Sequence, residues 1–303
     1  MTGFMPGPAP VRRAARRRPR GFTSGVRVVW SNRLARLGIA MLAFFVLVAI
    51  FAPWLAPYDP HDSDFDRRLP PSGAHWLGTT ATGEDVFSQL VVGTRVSVVV
   101  GLVAGALATI VAVAVGLTWG YVRPAAGEVM AFGVNLFLVV PALPLMVVIT
   151  AYLDNRGLSV IIIVVALTGW AWGARVLRAQ TTTLRSRDFV TAARFSGDSG
   201  ARIVFREIMP NMTSLIVSSF IAAAIAAVGA EAGLAFLGLG DPSTISWGTM
   251  LFWAQNGSVL LTGEWLQVLV PGLCIALLCM SLVFINFGVD AVSNPRLRRI
   301  GRR

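Results

Sequence analysis

The 303-residue sequence contains no lysine, so all 26 of its basic residues are arginine. A phosphate-binding loop of the Walker A type needs a lysine that reaches the β- and γ-phosphates of the nucleotide. The chain has no residue for that role. Any ATP-driven process in which it takes part therefore depends on ATP hydrolysis by another chain.

Charged residues are scarce as well, at 14% against 55% hydrophobic residues, and the mean hydropathy is +0.69. A water-soluble domain has roughly a quarter charged residues, so this composition excludes an ordinary soluble protein. The apolar residues form runs long enough to cross a bilayer as helix. The first run is too long for a signal peptide and lacks its cleavage site. We predict an all-α integral membrane protein with six transmembrane helices, at Leu37–Pro57, Ser97–Trp119, Val129–Leu153, Leu158–Ala174, Ser214–Gly238 and Gln267–Val289.

Cysteine and histidine number only two each. Cys274 and Cys279 lie five positions apart in the sixth run and would point to different faces of one helix, so no disulfide between them is expected. His61 lies in the acidic stretch "DPHDSDFD", but the stretch shows no spacing typical of metal ligands. No metal site is predicted.

The arginines are distributed unevenly among the segments between the predicted spans. Twenty-two of the 26 lie in residues 1–36, at Arg123, and in residues 175–206 and 296–303, which alternate with three segments that hold only the other four arginines. An excess of basic residues marks the cytosolic side, so both termini are predicted to be cytosolic. The basic tail has no interleaved aromatic residues, and we expect it to contact lipid headgroups and not nucleic acid.

The segments between the runs define the predicted organisation of the chain. Pro141 and Pro144 should kink the third span. The spacings Gly101–Gly105 and Gly116–Gly120 are typical of closely packed helices. The divisions are a cytosolic Arg-rich tail with an interfacial segment at 1–36, the first span at 37–57, an external segment at 58–96, a transmembrane domain at 97–293 that contains a cytosolic unit at 187–212, and a basic cytosolic C-terminus at 294–303.

The stretch "RDFVTAARFSGDSGARIVFREIMPNM", Arg187–Met212, lies between two apolar runs but has the pattern of a soluble helix–turn–helix. Phe189, Ala192 and Ala193 follow Asp188 at the spacing of one helical face. Gly197 stands where a glycine in the left-handed conformation ends a helix.

A second helix is predicted after this glycine. Asp198 or Ser199 can cap its start, its apolar residues are Ile203, Val204 and Ile208, and it should stop at Pro210. An apolar face exposed to the cytosol requires a partner, so we expect another protein to bind this unit.

The pattern A-A-x-x-x-G followed by a hydrophobic–Pro pair resembles the cytoplasmic signature of permease subunits of binding-protein-dependent ABC importers. In that family the segment is a coupling helix that docks on the ATPase subunit. The signature maps to Ala192, Ala193, Gly197, Met209 and Pro210, and the docking residues that the resemblance implies are Asp188, Phe189, Ala192, Ala193, Arg194, Gly197, Glu207 and Pro210. The chain departs from the family in having Thr191 where Glu is usual and Glu207 where His is frequent.

Further stretches resemble the dipeptide, oligopeptide and nickel branch of that family, and its C-type permease subunit in particular. They are His75–Gly101, Gly169–Val190, Glu231–Leu251 and Asp290–Arg299. The branch usually has Asp where this chain has Thr80 and Arg where it has Glu84.

The resemblance implies a type I ABC-importer (MetI-like) transmembrane domain in the bacterial plasma (inner) membrane. The implied partners are a second homologous permease, two cytosolic ATP-binding subunits or domains, an extracytoplasmic solute-binding protein and membrane lipids. The subunit itself would be non-catalytic and carry no cofactor, since ATP and Mg²⁺ would be bound by the ATPase subunits. Dipeptides or oligopeptides are the expected substrates, with nickel complexes or glutathione-like peptides as alternatives.

Glu231 is an ionisable residue within the fifth predicted span. Such a group is costly to bury unpaired, so it either lines the translocation path or is a structural carboxylate held by neighbouring polar groups. An ion-coupled secondary transporter would need more buried ionisable residues and internal repeats, and the sequence shows neither.

Overall fold

The computed structural model describes residues 29–153 and 157–293. The predicted Arg-rich tail up to residue 28 and the basic C-terminus at 294–303 lie outside these residues. The described residues are almost entirely helical, with one isolated bridge between Thr79 and Asp85 in place of any strand. The α-helices are α1 (Arg33–Leu55), α2 (Val86–Tyr121), α3 (Pro124–Val139), α4 (Ala142–Ala151), α5 (Leu158–Gly169), α6 (Ala171–Arg185), α7 (Asp188–Phe195), α8 (Gly200–Arg202), α9 (Thr213–Phe236), α10 (Trp247–Asn256), α11 (Val259–Thr262) and α12 (Leu266–Ser293).

Within the described residues, four helices are long and apolar enough to cross a membrane, and there are six spans if each of two bent helix pairs is one span. The first pair, α3 and α4, is bent by 83°, and the second, α5 and α6, by 41°. Val140 is extended, with ψ at 123°, because the following Pro141 disfavours the helical conformation in the residue before it. The predicted all-helical membrane fold is thus confirmed, and the expected kink in the third span is a sharp bend.

Helix α2 is the central element of the bundle. Its 36 residues correspond to about 54 Å, which exceeds the roughly 30 Å of the hydrocarbon core. It begins at Val86, well before the predicted start at Ser97, because Asp85 caps it by accepting a hydrogen bond from the Ser88 backbone N–H at 2.8 Å. Part of the predicted external segment therefore belongs to this helix.

The small residues of α2 allow close contact with two other helices. A Cβ atom on Gly105 would lie 2.7 Å from the Cα atom of Ala224 in α9, and one on Gly116 would lie 2.7 Å from the carbonyl oxygen of Ala174 in α6. Any side chain at these positions would force the helices apart. The predicted packing role of the two glycine spacings is confirmed.

The loops collect at two opposite ends of the bundle. We call residues 56–85 together with 237–265 the long-loop end, and residues 122–123 together with 186–212 the short-loop end. At the long-loop end His75 Nδ1 lies 2.9 Å from Asp85 Oδ1, with both side chains buried. The Gln267 amide donates to the backbone oxygen of Thr79 at 3.1 Å, so α12 fixes the same loop.

Candidate functional site

The first half of the Arg187–Met212 segment is a short helix closed by a left-handed glycine. Asp188 lies in the first turn of α7 and Arg194 in the last, so both charges interact favourably with the helix dipole. Gly197 has φ +84°, its N–H donates to Arg194 O at 3.0 Å, and the Asp198 N–H donates to Ala193 O at 3.1 Å. This pair of bonds is a Schellman motif, and the predicted role of Gly197 at the end of the helix is confirmed.

The second half is helical throughout but changes type twice. Ser199 caps the start, as its hydroxyl accepts from the Arg202 N–H at 3.4 Å. A π-helix follows at Ile203–Ile208 and a 3₁₀ turn at Met209–Met212, which leads into α9 without a break. The predicted stop at Pro210 is wrong. The proline lies in the first turn of the 3₁₀ segment, where its missing N–H removes little hydrogen bonding.

The apolar residues of the second half pack inside this chain. Ile203 and Ile208 are fully buried together with Val190, in a cluster that includes Leu117 of α2 and Leu177 of α6. The prediction that the apolar face of the second helix is exposed is therefore wrong, because the ends of α2 and α6 cover it. The cluster anchors the segment to the transmembrane helices.

Different residues of the segment remain exposed. Phe195 is 89% exposed and Phe205 57% exposed, although both are large aromatic side chains in the segment between two apolar runs. Neither was singled out from the sequence, because both fall off the apolar face that the spacing indicates. Of the predicted docking residues, Asp188, Ala192, Arg194, Gly197 and Pro210 are exposed, and Phe189, Ala193 and Glu207 are half-buried.

A groove of about 350 Å³ runs beside the segment, between α2 and the π-helix. Its walls include Leu117, Tyr121, Val204 and Phe205. The guanidinium of Arg194 lies 5.4 Å from the centre of the Tyr121 ring, within cation–π distance. An exposed aromatic residue, an apolar groove and a neighbouring cation thus occupy one surface.

Two further arginines tie this surface to the bundle. Arg178 lies over the Trp119 ring at 4.0 Å, and Arg185 donates to the backbone oxygen of Val122 at 2.9 Å. Both contacts join α6 to the end of α2. The segment therefore packs against α6 and the end of α2, which these contacts hold together.

Glu231 lies in α9 near the long-loop end and is 2% exposed. The Ser97 hydroxyl donates to its carboxylate at 3.3 Å, and the same hydroxyl accepts from the backbone N–H of Trp247 at 3.4 Å. The adjoining cavity, which Ser246 also lines, is about 10 Å³, which is about the space of one water molecule. The carboxylate thus connects α2, α9 and α10.

The stretch after Glu231 forms the floor of the long-loop end. Ser246 and Thr249 form a capping box at the start of α10. Trp247 is fully buried, donates to Leu90 O at 3.1 Å and packs edge-on against Phe45. The Glu231–Leu251 stretch therefore packs the fifth span against the first two.

The acidic stretch around His61 has a local structural role. Asp59 accepts from the His61 N–H at 2.9 Å, and Asp62 accepts from the Asp64 N–H at 3.0 Å. Both carboxylates thus stabilise turns of the chain. Within residues 29–153 and 157–293, no three His, Cys, Asp or Glu side chains are grouped to hold a metal ion.

Comparisons with known proteins agree with this architecture. Residues 112–299 match the family of binding-protein-dependent transport system inner membrane components. The chain belongs to this family, whose members are non-catalytic permease subunits of ABC importers.

A second match narrows the type of permease. Residues 26–71 match the N-terminal transmembrane domain of oligopeptide transport permease C. The chain is 32% identical over 271 residues to the oligopeptide transport system permease protein OppC of Bacillus subtilis, covering 89% of this chain and 88% of the relative. It is 34% identical over 276 residues to the di/tripeptide transport system permease protein DppC of Pseudomonas aeruginosa, covering 88% and 89%. OppC of Mycobacterium tuberculosis is 32% identical over 281 residues, covering 91% and 95%.

Proposed function

We propose that this chain forms half of an ATP-driven translocation pathway that imports dipeptides or oligopeptides across the bacterial inner membrane. The names of the relatives support peptides as substrates and do not favour nickel complexes, glutathione-like peptides or ion-coupled transport. A second, homologous permease would supply the other half of the pathway. An extracytoplasmic solute-binding protein would deliver the peptide.

The proposed orientation has the short-loop end and both termini in the cytosol. The arginines of the short-loop end, among them Arg123, Arg187 and Arg206, support this orientation through the positive-inside bias. The long-loop end then faces the solute-binding protein.

The short-loop end would dock on a cytosolic ATP-binding subunit through α7 and the turn at Gly197. The observation that supports this docking role is that the segment has one buried face and one exposed face. One face is buried against α2 and α6, and the other exposes Ala192, Phe195 and Phe205. A force applied to the exposed face therefore reaches the spans through packed side chains. ATP can shift the equilibrium between two conformations of the importer only if it binds one of them preferentially.

The role of Glu231 in a translocation path stays a prediction. Its contacts with Ser97 support the structural alternative that the sequence left open. A path role would require α10 to move away, because the adjoining cavity holds no more than about one water molecule.

Reconstitution of the complete importer tests the proposal. Proteoliposomes that contain both permeases and the ATP-binding subunits should take up a labelled dipeptide only with internal ATP and external binding protein. Uptake that continues without ATP but stops when the proton gradient is dissipated would instead identify a secondary transporter. Uptake of nickel or glutathione in place of peptides would change the substrate but not the architecture.

A further inference from the structure

A pocket of about 210 Å³ opens at the long-loop end, between the start of α2 and helix α10. Val86, Met250 and Trp253 form its apolar wall, and Trp253 is 52% exposed. The polar wall consists of Thr80, Thr82, Gln89, Asn256 and Gln267.

The three amide side chains of the polar wall all use their N–H groups within the protein. Gln89 donates to the Glu84 carboxylate at 3.0 Å, Gln267 donates to Glu264 at 3.0 Å, and Asn256 donates to a backbone oxygen at 2.9 Å. Because the acceptors are oxygens, the orientation of each amide is set by these bonds. None of the three amide oxygens accepts a hydrogen bond from a described residue, so they remain available as acceptors.

The two hydroxyl groups are oriented in the same way. Thr80 donates to Glu84 at 3.1 Å and Thr82 donates to the same carboxylate oxygen at 2.9 Å. No cation among the described residues lies within ion-pair distance of Glu84, and Glu264 pairs only with Arg68 at 3.5 Å. The polar wall thus presents the three amide oxygens as acceptors, and the Glu84 carboxylate behind them has no cationic partner among the described residues.

This arrangement selects a ligand that is rich in donors and positively charged. An ammonium or guanidinium group has three to five N–H donors and no acceptor, which complements the wall. It is also attracted to the face of an indole ring such as that of Trp253. The pocket is smaller than the roughly 300–1,000 Å³ of typical small-molecule sites, so it fits one side chain better than a whole peptide.

We propose that the pocket receives a lysine or arginine side chain of the extracytoplasmic solute-binding protein when that protein docks. The proposal rests on the proposed function, which places the long-loop end outside the cell. The branch that the sequence resembles usually has Asp and Arg where this chain has Thr80 and Glu84. The sign of the charge at position 84 is thereby reversed, so the pocket would discriminate the cognate binding protein from those of related importers.

The test uses the complete importer in lipid nanodiscs, with ATP hydrolysis measured against the concentration of binding protein. Glu84→Gln removes the negative charge behind the polar wall and Trp253→Leu removes the indole ring beside the cation, so each should raise the half-maximal concentration roughly tenfold. Glu84→Asp should raise it less because the charge is kept. The matched control is Asp64→Asn, an exposed carboxylate of the same end outside the pocket, which should shift the value less than about twofold.

A small probe extends the test to the chemistry of the pocket. Butylguanidinium should raise the half-maximal concentration for the wild type and have little effect on the Glu84→Gln variant. Assembly of each variant is checked by co-purification of the ATP-binding subunits. If one of the two variants fails to assemble, the other carries the test, and if both fail, the effect of butylguanidinium on the wild type decides it.

The outcomes separate this inference from the proposed function. If Glu84→Gln and Trp253→Leu act no more strongly than Asp64→Asn, the pocket does not contact the binding protein. If they change only the half-maximal peptide concentration at saturating binding protein, the cation belongs to the substrate, which also overturns the proposal. A wild-type complex that no binding protein stimulates overturns the proposed function itself.

Discussion

Substitution of Gly197 tests whether the turn after α7 sets the docking of the ATP-binding subunit. The residue has φ +84°, and apart from its two chain neighbours no residue has an atom within 4 Å of the place where a Cβ atom would stand. A substitution therefore meets no steric clash with a neighbour, and its cost arises from the backbone alone. An L-residue in this conformation costs roughly 1–2 kcal/mol, with a β-branched residue at the upper end. This corresponds to about a 5- to 30-fold lower population of the native turn.

A graded series isolates that cost. Asn tolerates the left-handed conformation, so Gly197→Asn should keep most activity, Gly197→Ala should keep less, and Gly197→Val should lose transport. All three variants should insert into the membrane normally, because the buried cluster that anchors the segment is not altered. The measurements are the fraction of ATP-binding subunit that co-purifies and peptide uptake per inserted permease.

Two results would refute this reasoning. A valine variant that assembles and transports like the wild type would show that the segment is only a connecting loop. An asparagine variant as inactive as valine would show that the loss comes from something other than backbone conformation.

Three other predictions follow from the same structure. With both native cysteines replaced by alanine, a cysteine at Ser243 should react with an impermeant reagent in intact cells and one at Ser199 only in opened membranes; reaction of Ser199 in intact cells would refute the proposed orientation. The purified chain alone should hydrolyse no ATP, since it has no lysine for a phosphate loop, and activity that persists without ATP-binding subunits would contradict this. Ala192→Asp should weaken co-purification of the ATP-binding subunit without lowering the thermal stability of the permease, whereas Ala193→Asp should lower both because Ala193 is half-buried against the anchoring cluster. Equal melting temperatures for the two variants would contradict the assigned faces.

Hydropathy located the apolar core of each membrane helix, because the length of an apolar run is a local property, but it missed the less apolar extensions at the start of α2 and the end of α6. The fifth predicted span, Ser214–Gly238, differs from α9 by only a residue or two at each end. The two bends were harder to predict from the sequence. Pro141 marks the first one in the sequence, but the 83° angle depends on how α4 packs on other helices. The second bend, at Trp170, has no proline to signal it.

The candidate site shows the same division between local and distant causes. Gly197 could be predicted because a Schellman motif depends on neighbouring residues. The continuation of the helix past Pro210 could not, since it depends on a π-helical segment that sequence periodicity does not reveal. The exposure of Phe205 in turn depends on the rotation that this segment gives the helix and on contacts with α2, far away in the chain.

Helix α2 is one uninterrupted helix that contributes residues to both candidate binding surfaces, so a movement of this helix would affect both of them. Gln89 lines the pocket near one end of the helix, and Tyr121 lines the groove at the other. Between them the helix touches α9 at Gly105, where the backbones are too close to slide apart without loss of contact. If α2 tilted as one body by about 5° around that contact, the two ends of a helix of about 54 Å would be displaced by about 2 Å in opposite directions. The walls of the two surfaces would then move together, because both belong to the same helix.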